Sequence, residues 1–547
     1  GPHGLRVQAG KKDMLGVCQS LPATCFPAAV PAAAAWNPEL YAAEGRAIGL
    51  EAAAAGITLV LGPGCNIKRD PHCGRNFEYL SEDPFLSGRL AAAYVRGMQE
   101  TGVSACLKHF AANNQETKRQ NGDSRVDERA LREIYLAPFE AAVQEGKPGA
   151  VMCAYNKLNG VHASDSRWLL DRVLRREWGF DGMVVTDWGA LNDRVEAFQA
   201  GCDLNMPGGS RFMERECLQA LRNGTLDEAK IDASVARIAA MALRERPAAA
   251  PADLDAHHQL ARTIAQQGAV LLKNQGGLLP AAAEDMALIG HMAAFPRYQG
   301  TGSSRVNPTR LVSLRDALPD APFLACCDQD GNVTEQALEE AAALARTARV
   351  AVVVAGLPDI SESEGFDRRD LSLPEGHNRM IQTVAGANPN TVVVLLGGGP
   401  MELPWLDQIP AVLYMGLPGQ AGGQACADLL TGRACPCGKL AETWPLSQED
   451  LISRDSFGRR EVEYRESVYV GYRYYDKANK AVAFPFGHGL SYTQFVYSGL
   501  EVSETAVSVT VTNTGKCSGA EVVQLYLFPT QGGLHRPLKE LKGFARV

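Results

Sequence analysis

From the start of the chain to about Met241, short apolar runs alternate with stretches whose apolar positions recur every three to four residues. Ile57 to Leu61, Val103 to Leu107, Ala150 to Ala154, Met183 to Thr186 and Cys202 to Asn205 read as buried strands. The clearest helical stretch runs from Asp165 to Trp178: Leu169, Leu170, Val173, Leu174 and Trp178 fall on one face, Asp165 is available as a cap, and Gly179 ends it. Several strands in this repeat end in polar residues, which predicts a (β/α) TIM-like barrel over residues 1–245 better than an open sheet. The text then turns Pro/Ala-rich, RERPAAAPADLDAHH, with no period that would bury a face. This reads as a linker, set at 246–262. A second alternating block, 263–490, carries strands near Met286 to Ile289, Arg349 to Ala355, Thr391 to Leu396 and Ala411 to Met415. Each gap leaves room for a crossover helix, so an open parallel α/β sandwich domain is expected. From Ser498 the period becomes two, in LEVSETAVSVTVTNTG and AEVVQLYLF, as in antiparallel strands of a β-sandwich over 495–547. That span falls short of the ~100 residues of an immunoglobulin-like sandwich, so an incomplete third unit is expected.

Composition narrows the function. The 547 residues are too many for one core, and 46% hydrophobic with 21% charged residues is the profile of a folded globular protein. With 54 Lys and Arg against 62 Asp and Glu, a net charge of -8, no positive field exists to draw nucleic acid. No apolar run reaches the ~18 residues of a membrane span; the alanine-rich stretch from Ala28 to Ala35 is broken by Pro31. The 14 cysteines lack zinc spacing, since Cys326/Cys327 and Cys435/Cys437 have no matching second pair. Buried thiols fit a reducing compartment, and no basic stretch followed by an apolar run marks a leader, so a cytoplasmic location is expected. Neither His257-His258 nor the cysteines form a ligand set, and the GGGP of Gly397 to Pro400 lacks both a Walker lysine and GxGxxG spacing. No metal and no cofactor are implied.

Chemistry concentrates at the carboxyl ends of the first block's strands, where barrels build their sites. The strand at Ile57 runs into GPGCNIKRDPHCGRNFEYLSEDP; those at Val103, Ala150 and Met183 end in Lys108-His109, Tyr155-Asn156 and Asp187-Trp188. Cations, amides, a carboxylate and aromatics on one rim suit a small polyhydroxylated ligand, whose hydroxyls need paired donors and acceptors and whose ring faces pack on aromatics. Self-association into a homo-oligomer is compatible with the sequence.

These segments, with GPHGLR, SLPATCFP, KHFAANNQE, VMCAYNKLNG, EWGFDGMVVTDWGA, GCDLNMPG, YQGTGSSRVNP, SEGFDRRDLSLPEG, GYRYYD and FPFGHGLSYT, occur in the order found in glycoside hydrolase family 3. The chain resembles that family over nearly its whole length, and its β-glucosidases most of all. The resemblance implies a barrel, an α/β sandwich and a fibronectin-III-like unit. It also implies retaining, exo-acting hydrolysis of terminal β-D-glucosyl residues, with Asp187 as nucleophile and Glu364 as acid/base, Glu362 being the competing acid. Arg75, Lys108, His109, Arg194 and Tyr155 would line the first sugar subsite, Trp188 and Met206 would supply apolar walls or core packing, and Arg305 would reach in from the second domain. A nucleophile must stay ionised and an acid protonated, which two different environments can arrange. The family motif DGPHG has an Asp that holds the sugar's outer hydroxyls; here the chain opens at Gly1-Pro2-His3-Gly4, so binding weaker by roughly 2–5 kcal/mol is expected. A β-xylosidase is the enzymatic alternative. A sugar-binding protein without turnover is the other, although it would have no use for both carboxylates.

Overall fold

The computed structural model describes residues 1–9, 20–244, 250–530 and 532–547. In the first half, β1 (Leu59–Val60), β2 (Ser104–Phe110), β3 (Ala150–Cys153) and β4 (Met183–Thr186) pair in parallel in that order. All of β2, β3 and β4 is buried, as parallel strands covered on both faces must be. The helices Pro38–Ala54 and Pro84–Gln99 are started by Asn37 and Asp83, which accept the N–H groups of Leu40 and Leu86 at 3.1 and 2.9 Å. They cross closely because Gly97 has no side chain: an added Cβ would lie 1.9 Å from the Ala42 carbonyl oxygen.

Three expectations need correction here. The run Cys202 to Asn205 is not a full strand: it lies along β4 through a bridge between Val185 and Leu204, and the Val184 N–H donates to the Asp203 side chain. β2 continues through Lys108 and His109 instead of stopping before them. The helix at Trp168–Glu177 is wide-turned, closing with Trp178 N donating to the Val173 carbonyl at 3.1 Å. It buries Leu169, Leu170, Val173 and Leu174 as expected and ends before Gly179 at φ 72°. Its first turn, however, is held by the Ser166 hydroxyl, which accepts from Leu169 N at 3.2 Å, while Asp165 accepts from Ser164 and Asn192.

The second block is a six-stranded sheet of β5 (Val270–Asn274), β6 (Met286–Ile289), β7 (Phe323–Leu324), β8 (Val350–Gly356), β9 (Thr391–Leu396) and β10 (Ala411–Gly416). Its order is β7-β6-β8-β9-β10-β5, parallel except for the antiparallel edge β5. The later part of the segment read as a linker, from residue 254, belongs to a helix, Leu254–Gly268, with His257 and His258 buried on it. Its amphipathic pattern begins only after the prolines, which is why the Pro/Ala run masked it; residues 245–249 lie outside the described residues. At the end of the chain are two antiparallel pairs, β11 (Phe495–Val502) with β12 (Val507–Asn513), and β13 (Val522–Leu527) with β14 (Glu540–Arg546). The second pair packs on the first half through Phe544 against Trp36 and Phe85. Among the described residues thirteen cysteines are free thiols, and no helix is long and apolar enough to cross a membrane.

The two blocks interlock through the segment 66–83. Arg69 pairs with Glu466, Lys68 with Glu442 at 2.7 Å, and Asp83 with Arg473 at 2.8 Å, all six side chains being buried. Ser81 Oγ donates to the Ala441 carbonyl at 2.6 Å, and Ser453 Oγ to Asp70 at 2.5 Å. Residues Glu461–Glu463 also add a parallel strand to Asp123–Arg125. Buried charges cost several kcal/mol each unless paired, so this packing tolerates little sliding.

Candidate active site

Asp187 is the first residue after β4. Its carboxylate is fixed by its own turn: Oδ1 accepts from Trp188 N at 2.7 Å, and the Gly189 N–H donates to the Met206 carbonyl at 2.7 Å. Oδ2 is left facing the guanidinium of Arg75 at 4.0 Å and Nε2 of His109 at 3.6 Å. Arg75 comes from the interlocking segment and is itself paired through Nε with Glu78, whose second oxygen lies 3.4 Å from Lys108 Nζ. His109 is buried, and that burial together with Arg75, Lys108 and Arg119 keeps it neutral, well below the usual histidine range. Its Nδ1 lies 3.2 Å from the Tyr79 hydroxyl, which fixes the ring with Nε2 facing Asp187.

Glu364 arrives from the other block, on the loop after β8. Ser303 N donates to its Oε2 at 2.7 Å; Arg119 Nη1 donates to its Oε1 at 3.1 Å, and Arg75 Nη1 lies 3.7 Å from that same oxygen. Asp187 Oδ2 and Glu364 Oε1 therefore share one guanidinium nitrogen and can be no farther apart than those two distances laid end to end. The two carboxylates have different electrostatics. Burial raises the proton affinity of Asp187; Arg75, the Trp188 N–H and Lys108 oppose it, and the net shift is upward. Burial acts the same way on Glu364, but Arg75, Arg119 and Ser303 outweigh it and hold this carboxyl well below its ordinary value. The two shifts run opposite to those expected of a nucleophile and an acid, because the two arginines sit closer to the glutamate.

Buried and lacking a hydrogen-bond partner are Arg75 Nη1, Asp187 Oδ2, Glu78 Oε2 and Glu116 Oε1. Each such group costs about 1–3 kcal/mol, and a cluster of them is explained by a polar ligand that completes them. Tyr155 adds a wall: its hydroxyl donates to the Trp188 carbonyl at 3.0 Å, and Arg119 lies 4.5 Å over its ring. Trp188 itself is 45% exposed, which rules out core packing and leaves its indole on the rim. Met206 works through its backbone, which ties to Thr186 and Gly189, while its side chain packs near Cys106, Met152 and Val185.

Two expected residues fall outside this cluster. Arg194 is spent on the carbonyls of Cys202 and Asp203 and stacks on Phe198. Arg305 is exposed on its loop, where its backbone N–H donates to the Gly302 carbonyl. Glu362, the competing residue, is buried and engaged by Arg297 and by the Gly398 N–H at 2.6 Å. Sequence reasoning missed Arg119, Glu116, Glu78 and Ser303. Glu78 follows Arg75 by three residues, a spacing that allows an ion pair, whereas the charges of NNQETKRQNG look like any solvated loop.

Residues 2–241 match the glycosyl hydrolase family 3 N terminal domain, and residues 269–492 match the glycosyl hydrolase family 3 C-terminal domain. The chain belongs to glycosyl hydrolase family 3. It is 48% identical to thermostable beta-glucosidase B of Acetivibrio thermocellus, covering 100% of this chain and 75% of that protein. It is 42% identical to the exo-alpha-(1->6)-L-arabinopyranosidase of Bifidobacterium longum, over 100% and 76%. Among solved structures, the family 3 beta-glucosidase of Bifidobacterium adolescentis superposes with a TM-score of 0.94 at 41% identity, covering 100% of this chain and 82% of that one. Beta-glucosidase 3B of Thermotoga neapolitana in complex with glucose gives 0.92 at 36% identity, over 100% and 83%. As a member of this family the chain is a glycoside hydrolase, and its α/β architecture is the family's.

Proposed function

We propose that the protein is a retaining, exo-acting β-glucosidase that removes terminal non-reducing β-D-glucosyl residues from oligosaccharides or aryl glucosides. The single observation that supports this best is the pair of carboxylates from different blocks held on one guanidinium nitrogen, Asp187 at 4.0 Å and Glu364 at 3.7 Å. Retention requires carboxyl groups ~5–5.5 Å apart, a separation those two distances permit. In the first step Asp187 Oδ2 bonds to the anomeric carbon as the glycosidic C–O bond breaks and Glu364 gives its proton to the departing oxygen. In the second, Glu364 takes a proton from water, which displaces Asp187. Arg75, Lys108, His109 and Arg119 donate to sugar hydroxyls, and charged donors of this kind strengthen as charge develops. Arg194 and Arg305 play no part in this reading. We read the first unit, 1–245, as a (β/α) barrel, 263–490 as the α/β sandwich that carries the acid/base, and 495–547 as fibronectin-III-like.

The arabinopyranosidase relative favours a second reading, a pentopyranosidase, since a pentopyranosyl unit lacks the hydroxymethyl group, worth only ~1–3 kcal/mol in a pocket, and an α-L-arabinopyranosyl unit differs from glucosyl in addition only by its C4 configuration. Nitrophenyl β-glucoside, β-xyloside and α-L-arabinopyranoside, assayed side by side, separate these readings, and a mere sugar binder turns over none of them. The expected result is fastest release from the glucoside, β-glucose as first product by proton NMR, and near-complete loss in Asp187→Gly. Inversion, or an unchanged rate in that variant, overturns the assignment.

A further inference from the structure

Glu116 is the buried carboxylate for which the two-step reaction has no use. It lies eight residues beyond Lys108, on the loop that leaves β2, with its side chain sealed from solvent. Its Oε2 accepts from Arg119 Nη1 at 2.6 Å and from the Gly365 N–H, the residue after Glu364, at 2.8 Å. Its own N–H is held at 2.8 Å by Asp367, also on the acid/base loop. The same Arg119 nitrogen that serves Glu116 at 2.6 Å serves Glu364 at 3.1 Å, so the two carboxylates compete for one donor.

We propose that Glu116 is a positioning residue for the acid/base: by drawing Arg119 toward itself and gripping the Gly365 N–H, it sets how firmly Glu364 holds a proton. The inference rests on Glu364 being the acid. The charged and titratable groups facing Glu116 are Arg119 on its own loop, Arg75, Cys73 and Tyr79 on the interlocking segment, and Glu364 and Asp367 on the acid/base loop. Burial, offset by Arg75 and Arg119, pushes Glu116 up to about 7. Near neutrality it therefore changes charge, and the two carboxylates titrate as a linked pair. Once ionised, Glu116 takes a larger share of Arg119 and repels charge on Glu364, so the acid keeps its proton to higher pH.

The test is the pH profile of Glu116→Gln against wild type, using an alkyl glucoside, whose departing oxygen needs a proton, and a dinitrophenyl glucoside, which does not. With the charge gone, Arg119 belongs to Glu364 throughout. The alkaline limb of kcat/KM for the alkyl glucoside should move down by about one pH unit. The rate at pH 8 should fall about tenfold, against less than threefold at pH 5 and less than threefold for the dinitrophenyl substrate at both. Equal loss on both substrates at both pH values, or no loss at all, overturns the proposal. Should that variant not fold by circular dichroism, Glu116→Asp decides: the charge stays, so the limb should stay while rates fall uniformly, and a limb lowered by half a unit overturns it. Azide rescue of Glu364→Gly on the dinitrophenyl substrate tests the acid assignment separately, so failure of that reading is distinguishable from failure of this one.

Discussion

Replacing Gly74 by Ala perturbs the acid/base without touching a carboxylate. Gly74 precedes Arg75, and its N–H donates to Asp367 at 3.0 Å. A Cβ at this position would lie 1.8 Å from the carbonyl oxygen of Phe366 and 2.4 Å from that of Ser363, the residues on either side of Glu364-Gly365. Ordinary contacts of this kind are no closer than ~3.4 Å, so one of the two loops has to retreat by more than an ångström. The segment bearing Gly74 is pinned by the buried pairs of Arg69 and Lys68, which leaves the acid/base loop to move. A misplacement of about 1 Å costs roughly 10²-fold in rate. We therefore expect kcat/KM for cellobiose to fall about a hundredfold in Gly74→Ala. The dinitrophenyl glucoside rate should fall far less, since its leaving group departs without a proton and Asp187 is undisturbed. Initial rates on both substrates, with a thermal melt to verify folding, make the measurement. A folded variant with less than a threefold loss on cellobiose would show that the loop does not need this close approach.

Three further outcomes follow from the same geometry. Asp187→Ala should lower kcat by at least about 10⁴-fold, and a 2-deoxy-2-fluoro glucoside should label the wild-type peptide containing Asp187 by mass spectrometry but not the variant's. Glu466→Gln leaves Arg69 buried without its charge partner, at a cost of about 3–5 kcal/mol, measurable as a lower urea midpoint; an unchanged midpoint contradicts the clamp. His377, its Nδ1 3.0 Å from the Gly356 carbonyl, is lowered by burial to about 4, so below the unfolded value near 6.5 the unfolded chain binds the extra proton. Stability should thus decline as pH falls from about 6.5 to 4 and level off below, by roughly 3 kcal/mol at most from this group; His377→Gln should flatten that part of the curve, and an identical curve rejects the attribution.

The parts of the site legible in the sequence are those whose position follows from a strand. Asp187 ends an unmistakable apolar run, and Lys108-His109 and Tyr155 sit at the ends of two others, so the strand-end rule finds them. Arg119, Glu116 and Ser303 lie on loops, where no periodicity says which way a side chain faces. Glu116 and Arg119 find their partners in the second block, at Gly365 and Glu364, and Ser303 is exposed and enters through its backbone N–H, so local pattern carries no trace of any of them. Arg194 and Arg305 came from the resemblance and not from a strand end; the structure leaves Arg305 exposed and engages Arg194 with backbone carbonyls. The linker suffered from composition, since Pro and Ala in 247–252 hid a helix that begins two residues later.

The reversed proton affinities of the two carboxylates bear on how the reaction starts. Two arginines face Glu364 and favour its charged form, although the acid step needs that proton in place. A bound sugar changes the balance, because Arg75 Nη1 has no other hydrogen-bond partner and a hydroxyl that accepts from it draws its charge away from Glu364. Ionised Asp187 and ionised Glu364 then lie near each other with little exposure, and like charges so placed favour proton uptake by one of them. Asp187 keeps the Trp188 N–H as a donor to Oδ1 and has His109 Nε2 3.6 Å from Oδ2, so uptake falls to Glu364. On this argument substrate binding takes up a proton, and KM for a glucoside should rise as pH increases through neutrality even where kcat is still level. Calorimetric titration of the Asp187→Ala enzyme in two buffers of different ionisation enthalpy should show little of that uptake, since the charge that drives it has been removed.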